Sequence, residues 1–275
     1  MLENNKLLID KACPMCKIYA RGFEKIKLID DKTVTYYQEA EPETFDKIDA
    51  KRAMNEVALV NTENGDVVYG AKAFTTILSQ NRKWLNVFFD WGPIRWFIQQ
   101  LYWFISYNRH VMAGPRELNA SRACIPETKA SYRWLYILSV ALITGLILNQ
   151  FSYLLADAFG VSHNNWREYL ICFGQIGWQF TLLSIIRPGK KLDYLGNMST
   201  VSFIGAILLL PVILLSQVIT LNGFVLGSIF MLVVSYMLSM HYQRTKKMQL
   251  PITITAYWLL YRVGWLIVIL WIELI

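Results

Sequence analysis

Charge is the first thing this chain has little of. Asp, Glu, Lys and Arg make up 17% of its 275 residues, while 55% are hydrophobic. An ordinary soluble domain is about a quarter charged. Cysteine is scarce too. Four in this length are too few for a disulfide-built scaffold. Polar low-complexity character is missing, and so much apolar surface excludes a disordered chain. An apolar N-terminal leader is also lacking. Met1–Asp10 is short and mixed in charge, so no cleaved signal peptide is expected.

The shortage of charge is uneven. Residues 1–133 hold 19 Lys/Arg and 16 Asp/Glu, whereas residues 134–275 hold 8 and 4. The first part has the charge density of a soluble domain and the second about a third of it. The chain therefore reads as a water-soluble domain, 1–127, followed by a membrane domain, 128–275.

Five apolar stretches reach the roughly 20 residues that a membrane crossing needs. They are Trp134–Ala156, Glu168–Ile186, Ser199–Leu221, Phe224–Tyr242 and Ile252–Ile275. Only Asn222 and Gly223 separate the third from the fourth, which implies a tight hairpin. Basic residues gather before the first span (Arg116, Arg122, Lys129, Arg133) and in alternate connections (Arg187, Lys190, Lys191; Arg244, Lys246, Lys247). By the positive-inside rule these sides are cytoplasmic, which puts the soluble domain in the cytoplasm and the chain in the inner (plasma) membrane. Six of the eight basic residues of the tail lie in two such connections. The net charge of +7 thus needs no nucleic-acid partner.

Within the spans, Arg262 is expensive unless it snorkels or meets helix carbonyls or one of Gln150, Gln175, Gln179 and Gln217. His241 reads as an interfacial residue. Cys172 reads as a small buried hydrophobe. The spans carry no cysteine pair, so a thiol relay across the membrane is not expected. The tail reads as an anchor with room to bind a lipid, a quinone or a partner protein.

In the soluble part, Leu7-Leu8-Ile9 reads as a buried strand and runs into Asp10-Lys11-Ala12-Cys13-Pro14-Met15-Cys16. A helix over 17–27 follows, and Pro14 suits its first turn. Cys13 then sits at a helix N-terminus, where exposed N–H groups favour a thiolate. Cys16, one turn on, can resolve a mixed disulfide formed by Cys13. Asp10 is placed to handle protons, although a neighbouring carboxylate raises a thiol's pKa. Further elements are a strand over Thr33–Gln38, a helix over Thr44–Ala53, a hairpin turning at Asn64-Gly65, and a helix over Ala71–Ser79. The order β-α-β-α-β-β-α is that of an α/β, thioredoxin-like domain ahead of an all-α transmembrane bundle.

Asp10, Cys13 and Cys16 fit an Asp-x-x-Cys-x-x-Cys motif. Downstream come Asn64-Gly65, Tyr69-Gly70-Ala71-Lys72-Ala73, Tyr102 with Asn108-Arg109, and Cys124-Ile125-Pro126. In these ordered segments, over about residues 6–127, the chain resembles the bacterial DCC thiol-disulfide oxidoreductase family. The resemblance implies a thioredoxin-like fold and a redox-active Cys13/Cys16 pair. It says nothing of the membrane half. The stretch Ala53-Met54-Asn55-Glu56 stands where many thioredoxin-like enzymes place a proline facing the disulfide, so substrate capture must use other groups.

Two functional readings remain. The first is a membrane-tethered oxidoreductase acting on protein or small thiol substrates. Cys13 is its nucleophile, Cys16 its resolver and Asp10 its proton-handling neighbour; no cofactor or metal is needed. The second is a membrane-bound redox sensor or partner-binding protein whose Cys pair is regulatory or metal-binding. A zinc site needs four ligands, so Cys124 and His110 would have to complete it. Cys124 otherwise reads as a linker residue. The aromatic stretches Trp84–Phe89 and Ile94–Tyr107 read as core helices, the alternative being a face on the membrane surface.

Overall fold

The computed structural model describes residues 4–11, 13–80, 82–115 and 127–274. The chain divides into two compact units, Met1–Tyr132 and Arg133–Ile275.

The first unit is built on a four-stranded mixed sheet. Strands β1 (Asn5–Ile9), β2 (Val34–Tyr36), β3 (Ala58–Asn61) and β4 (Val67–Tyr69) lie in the order β2-β1-β3-β4. β1 and β2 are parallel, with Leu7 opposite Val34. β1 runs antiparallel to β3, and β3 to β4. Alternation along the strands divides the core in two. Leu7, Ile9 and Leu59 face Cys13, Cys16, Ala20 and Ile77 on one side. Leu8, Ala58 and Val60 face Tyr37, Ile48 and Ala53 on the other. Helix α1 (Pro14–Lys25) crosses from β1 to β2.

The region expected as one helix over Thr44–Ala53 is two: α2 (Pro42–Phe45) and α3 (Ala50–Asn55). Asp49 breaks it, because its carboxylate accepts the Arg52 N–H at 3.0 Å and starts a new helix. The β3–β4 turn closes at Gly65, whose φ is +78°. At the start of α4 (Gly70–Ser79), Gly70 has φ +63°, and a Cβ there would lie 2.6 Å from Glu56 Oε2. Only glycine fits that position.

Helices α5 (Lys83–Asp90) and α6 (Gly92–Ala113) follow. The core-helix expectation holds for one face only. Ser106–Arg109 and Val111 are buried, but Trp84, Val87, Phe88, Trp91, Trp96 and Phe97 are exposed.

The second unit holds α7 (Ala130–Phe159) from Arg133 onward, α8 (Arg167–Ile186), α9 (Lys191–Leu215), α10 (Gly223–Lys247) and α11 (Thr253–Leu274). Each is long and apolar enough to cross a membrane, and the count of five among the described residues agrees with the sequence. The tight hairpin does not form. α9 begins and ends earlier than expected, because residues Tyr194–Val201 are already buried in the helix packing. Residues 216–222 then link it to α10, which Asn222 caps by accepting the Val225 N–H at 2.9 Å.

His241 lies within two turns of the end of α10. It is buried, 2.9 Å from the Tyr194 hydroxyl and 3.2 Å from that of Thr255, and it stacks on Trp258. Arg262 donates to Ser202 Oγ at 3.1 Å and lies over the Trp258 ring at 4.3 Å. That hydrogen bond goes to a serine and not to one of the glutamines expected from the sequence. Gln175 instead donates to the Trp258 carbonyl at 3.2 Å.

Candidate functional site

The turn between β1 and α1 places the three motif residues together. The Cys13 N–H donates to the Asp10 carbonyl at 3.0 Å, closing the turn, and Cys13 becomes the N-cap of α1. Its sulfur accepts the Cys16 backbone N–H at 3.3 Å. This is the capping bond that Ser or Asp makes elsewhere, made here by sulfur. Pro14 begins the helix, so no N–H is wasted there. The two cysteines stand as separate thiols without a disulfide between them. Both are fully shielded from solvent, Cys13 at 0% and Cys16 at 1% exposure.

The electrostatics separate the two sulfurs. Donation of the Cys16 thiol hydrogen to Cys13 pushes the Cys16 pKa well above its ordinary value, and burial adds to the effect. The Arg109 charge and a hydrogen bond from the Tyr19 hydroxyl pull the other way, but less strongly. Cys13 thus receives two donors from Cys16, one from its backbone and one from its thiol, and both favour negative charge on Cys13.

Asp10 is buried beside this turn. Its carboxylate accepts from Gln38 Nε2 at 2.8 Å, while Gln38 Oε1 accepts the Lys11 N–H at 3.0 Å. Gln38, just past β2, therefore ties both backbone and side chain of the motif to the sheet. Residues 7–115 match the family described as DCC1-like thiol-disulfide oxidoreductase. The match takes in the sheet except for the first two residues of β1, and stops short of the five long apolar helices. No curated protein and no solved structure matches the chain.

The first unit also brings in residues whose part at the site the sequence did not reveal. Tyr19 sits one turn beyond Cys16 on α1, with its ring 4.6 Å from that of Phe74. Tyr102, Ser106 and Arg109 come from α6, which reaches the chain just before β3. The Val57 N–H donates to the Tyr102 hydroxyl at 2.9 Å, Ser106 Oγ donates to the Asn55 carbonyl, and Arg109 Nη2 donates to the Met54 carbonyl at 2.6 Å. The stretch read as the place of a missing proline, together with Val57 just after it, is therefore held by three α6 side chains. Tyr102 and Arg109 were visible in the family-like segment, but nothing there gave them a partner.

An open pocket of about 340 Å³ borders Cys16. Ile18, Phe74, Ile98, Leu101 and Ile105 supply much of its wall, and Tyr19, Tyr102, Ser106 and Arg109 are its polar lining. Among the described residues, no group of three or more His, Cys, Asp or Glu could hold a metal ion. Cys124 lies outside the described residues.

Proposed function

We propose that the protein is a membrane-tethered thiol-disulfide oxidoreductase whose Cys13/Cys16 pair works on the cytoplasmic side of the inner membrane. The observation that carries this reading is the asymmetric sulfur pair at the head of α1. Cys13 receives the Cys16 backbone N–H and the Cys16 thiol hydrogen, while Cys16 holds its own proton tightly.

Cys13 attacks one sulfur of a substrate disulfide. That S–S bond breaks, one substrate thiol leaves with a proton, and Cys13 carries a mixed disulfide. Negative charge has then left Cys13, so the bond that raised the Cys16 pKa is gone. Arg109 and the Tyr19 hydroxyl now favour a Cys16 thiolate. Cys16 gives up its proton and attacks the Cys13 sulfur, and the second substrate thiol departs. The pair loses two electrons and two protons, and the substrate gains them. Asp10 is a proton-handling neighbour fixed by Gln38. The alternation of basic connections supports the cytoplasmic placement.

Complete shielding of Cys13 favours a second reading, in which the pair reports redox state to a partner protein. One experiment separates the two. Cys16→Ser, expressed in membranes, accumulates mixed disulfides on Cys13 if the pair exchanges with substrates. Absence of any adduct, together with full cell function in a Cys13→Ser/Cys16→Ser double variant, favours the sensor.

A further inference from the structure

We propose that the pocket beside Cys16 receives an apolar, low-molecular-weight disulfide drawn from the bilayer, in place of an extended polypeptide. This rests on the redox reading above and names its substrate class.

A thioredoxin-like domain can hold an extended substrate through backbone groups next to the disulfide, as one strand pairs with another. Here those groups are already used. Met54 and Asn55 carbonyls accept from Arg109 and Ser106, and the Val57 N–H donates to Tyr102. A peptide strand would have to displace three buried hydrogen bonds made by α6.

What remains open is the pocket. About 340 Å³ suits a small ligand. Of its polar side chains, Tyr102, Ser106 and Arg109 each bond residues 54–57, and Tyr19 bonds the Cys16 sulfur. The surface left for a ligand is hydrocarbon and ring faces, chiefly Ile18, Phe74, Ile98, Leu101 and Ile105. Buried hydroxyls or charges on a ligand would find few partners there, which is costly.

The pocket's outer residues continue into a larger apolar surface. Ile18, Leu101 and Ile105 are exposed, and on the same helix so are Trp96 at 65% and Phe97 at 60%. Trp91, Val87 and Trp84 extend the face onto α5. Aromatic side chains of this kind, Trp above all, settle at a membrane interface. The chain carries five helices able to cross a membrane, so the lipid phase is the apolar medium at hand. A disulfide dissolved there passes from one apolar environment to another with little transfer cost, and the pocket seats it beside Cys16, whose N–H lies 3.3 Å from the attacking Cys13 sulfur.

The test uses the full chain, reduced, in lipid nanodiscs. Two probes are compared: dipropyl disulfide and bis(2-hydroxyethyl) disulfide, of similar size and the same bond type. Formation of the Cys13–Cys16 disulfide is followed by acid quench, alkylation and peptide mass. Each rate is divided by that of a long-chain alkyl dithiol dissolved in the same lipid with the same probe, which removes intrinsic reactivity and partitioning. The expected normalised preference is about tenfold or more for dipropyl disulfide. Leu101→Asp brings that ratio close to one, and Ile18→Ser, at an exposed position, lowers it independently should the first variant fold poorly. A ratio near one in the wild type overturns the proposal while leaving the redox reading intact. So does faster oxidation by a disulfide-bearing extended peptide. If neither probe nor peptide oxidises the pair, the redox reading itself fails and the proposal with it.

Discussion

Replacing Tyr102 by Phe removes one oxygen atom and keeps the ring, whose centroid lies 5.6 Å from that of Phe74. The ring packing survives, so the effect isolates one hydrogen bond. The Val57 N–H, now 2.9 Å from that oxygen, would face an apolar wall. Leaving a buried donor without a partner costs about 1–3 kcal/mol. At about 1.4 kcal/mol for each factor of ten, opening of this segment rises roughly 5- to 150-fold. The cost falls on the junction of α3 and β3, which Ser106 and Arg109 also hold, so opening is local. Hydrogen exchange read by mass spectrometry on peptides covering residues 54–60 measures it. Protection there drops by the stated factor, while α4 and the membrane helices stay as they are. Unchanged protection would mean that Tyr102 does not close this backbone. The argument against capture of an extended substrate would then lose one of its three supports.

Three further outcomes follow from the same geometry. The folded protein holds the Cys16 proton above the thiol's ordinary value of 9.0, whereas the unfolded chain releases it there. The unfolded state therefore binds fewer protons as pH rises through 9, and stability falls by up to about 1.4 kcal/mol per pH unit from this group. Burial raises Tyr19 and Tyr102 as well, so the fall steepens above pH 10. The thermal midpoint of the reduced chain should drop between pH 8 and 10.5, and the component beginning near pH 9 should vanish in Cys16→Ser; a flat profile would contradict the assignment. Gly70→Ala meets both a φ of +63° and a 2.6 Å approach to Glu56 Oε2, so it should cost at least about 1–2 kcal/mol, read as a lowered midpoint and weaker protection of α4. Ile77→Ala, at a fully buried position beside the cysteines, should cost about 2–5 kcal/mol, seen as a lower midpoint in the same assay.

Periodicity made the backbone of this account legible. The apolar run Leu7-Leu8-Ile9, the Asn64-Gly65 turn and the five long apolar stretches all act through neighbours close in sequence, and the corresponding strands, turn and helices form. The Asp49 cap was equally local, but its competition with a continuous helix could not be weighed from the pattern alone. Partners far along the chain were hidden. Arg109 reaches Met54 and Ser106 reaches Asn55 across about fifty residues, and no spacing rule links them. Arg262 meeting Ser202, and His241 buried between Tyr194 and Thr255, are decided by which helices pack together. The exposed face of α5 and α6 was misread because Trp and Phe are equally at home in a core and at a lipid surface.

The central claim is that Cys13 and Cys16 act as one reversible two-electron couple. Its most direct test is a redox titration of the full chain in nanodiscs against mixtures of reduced and oxidised dithiothreitol, with thiols trapped and peptides weighed. The account predicts that the Cys13 and Cys16 peptides lose alkylation together, reversibly and along a two-electron curve, while Cys172 stays alkylated throughout. If Cys13 and Cys16 remained alkylated across the whole range, or lost alkylation independently of each other, the account would be wrong.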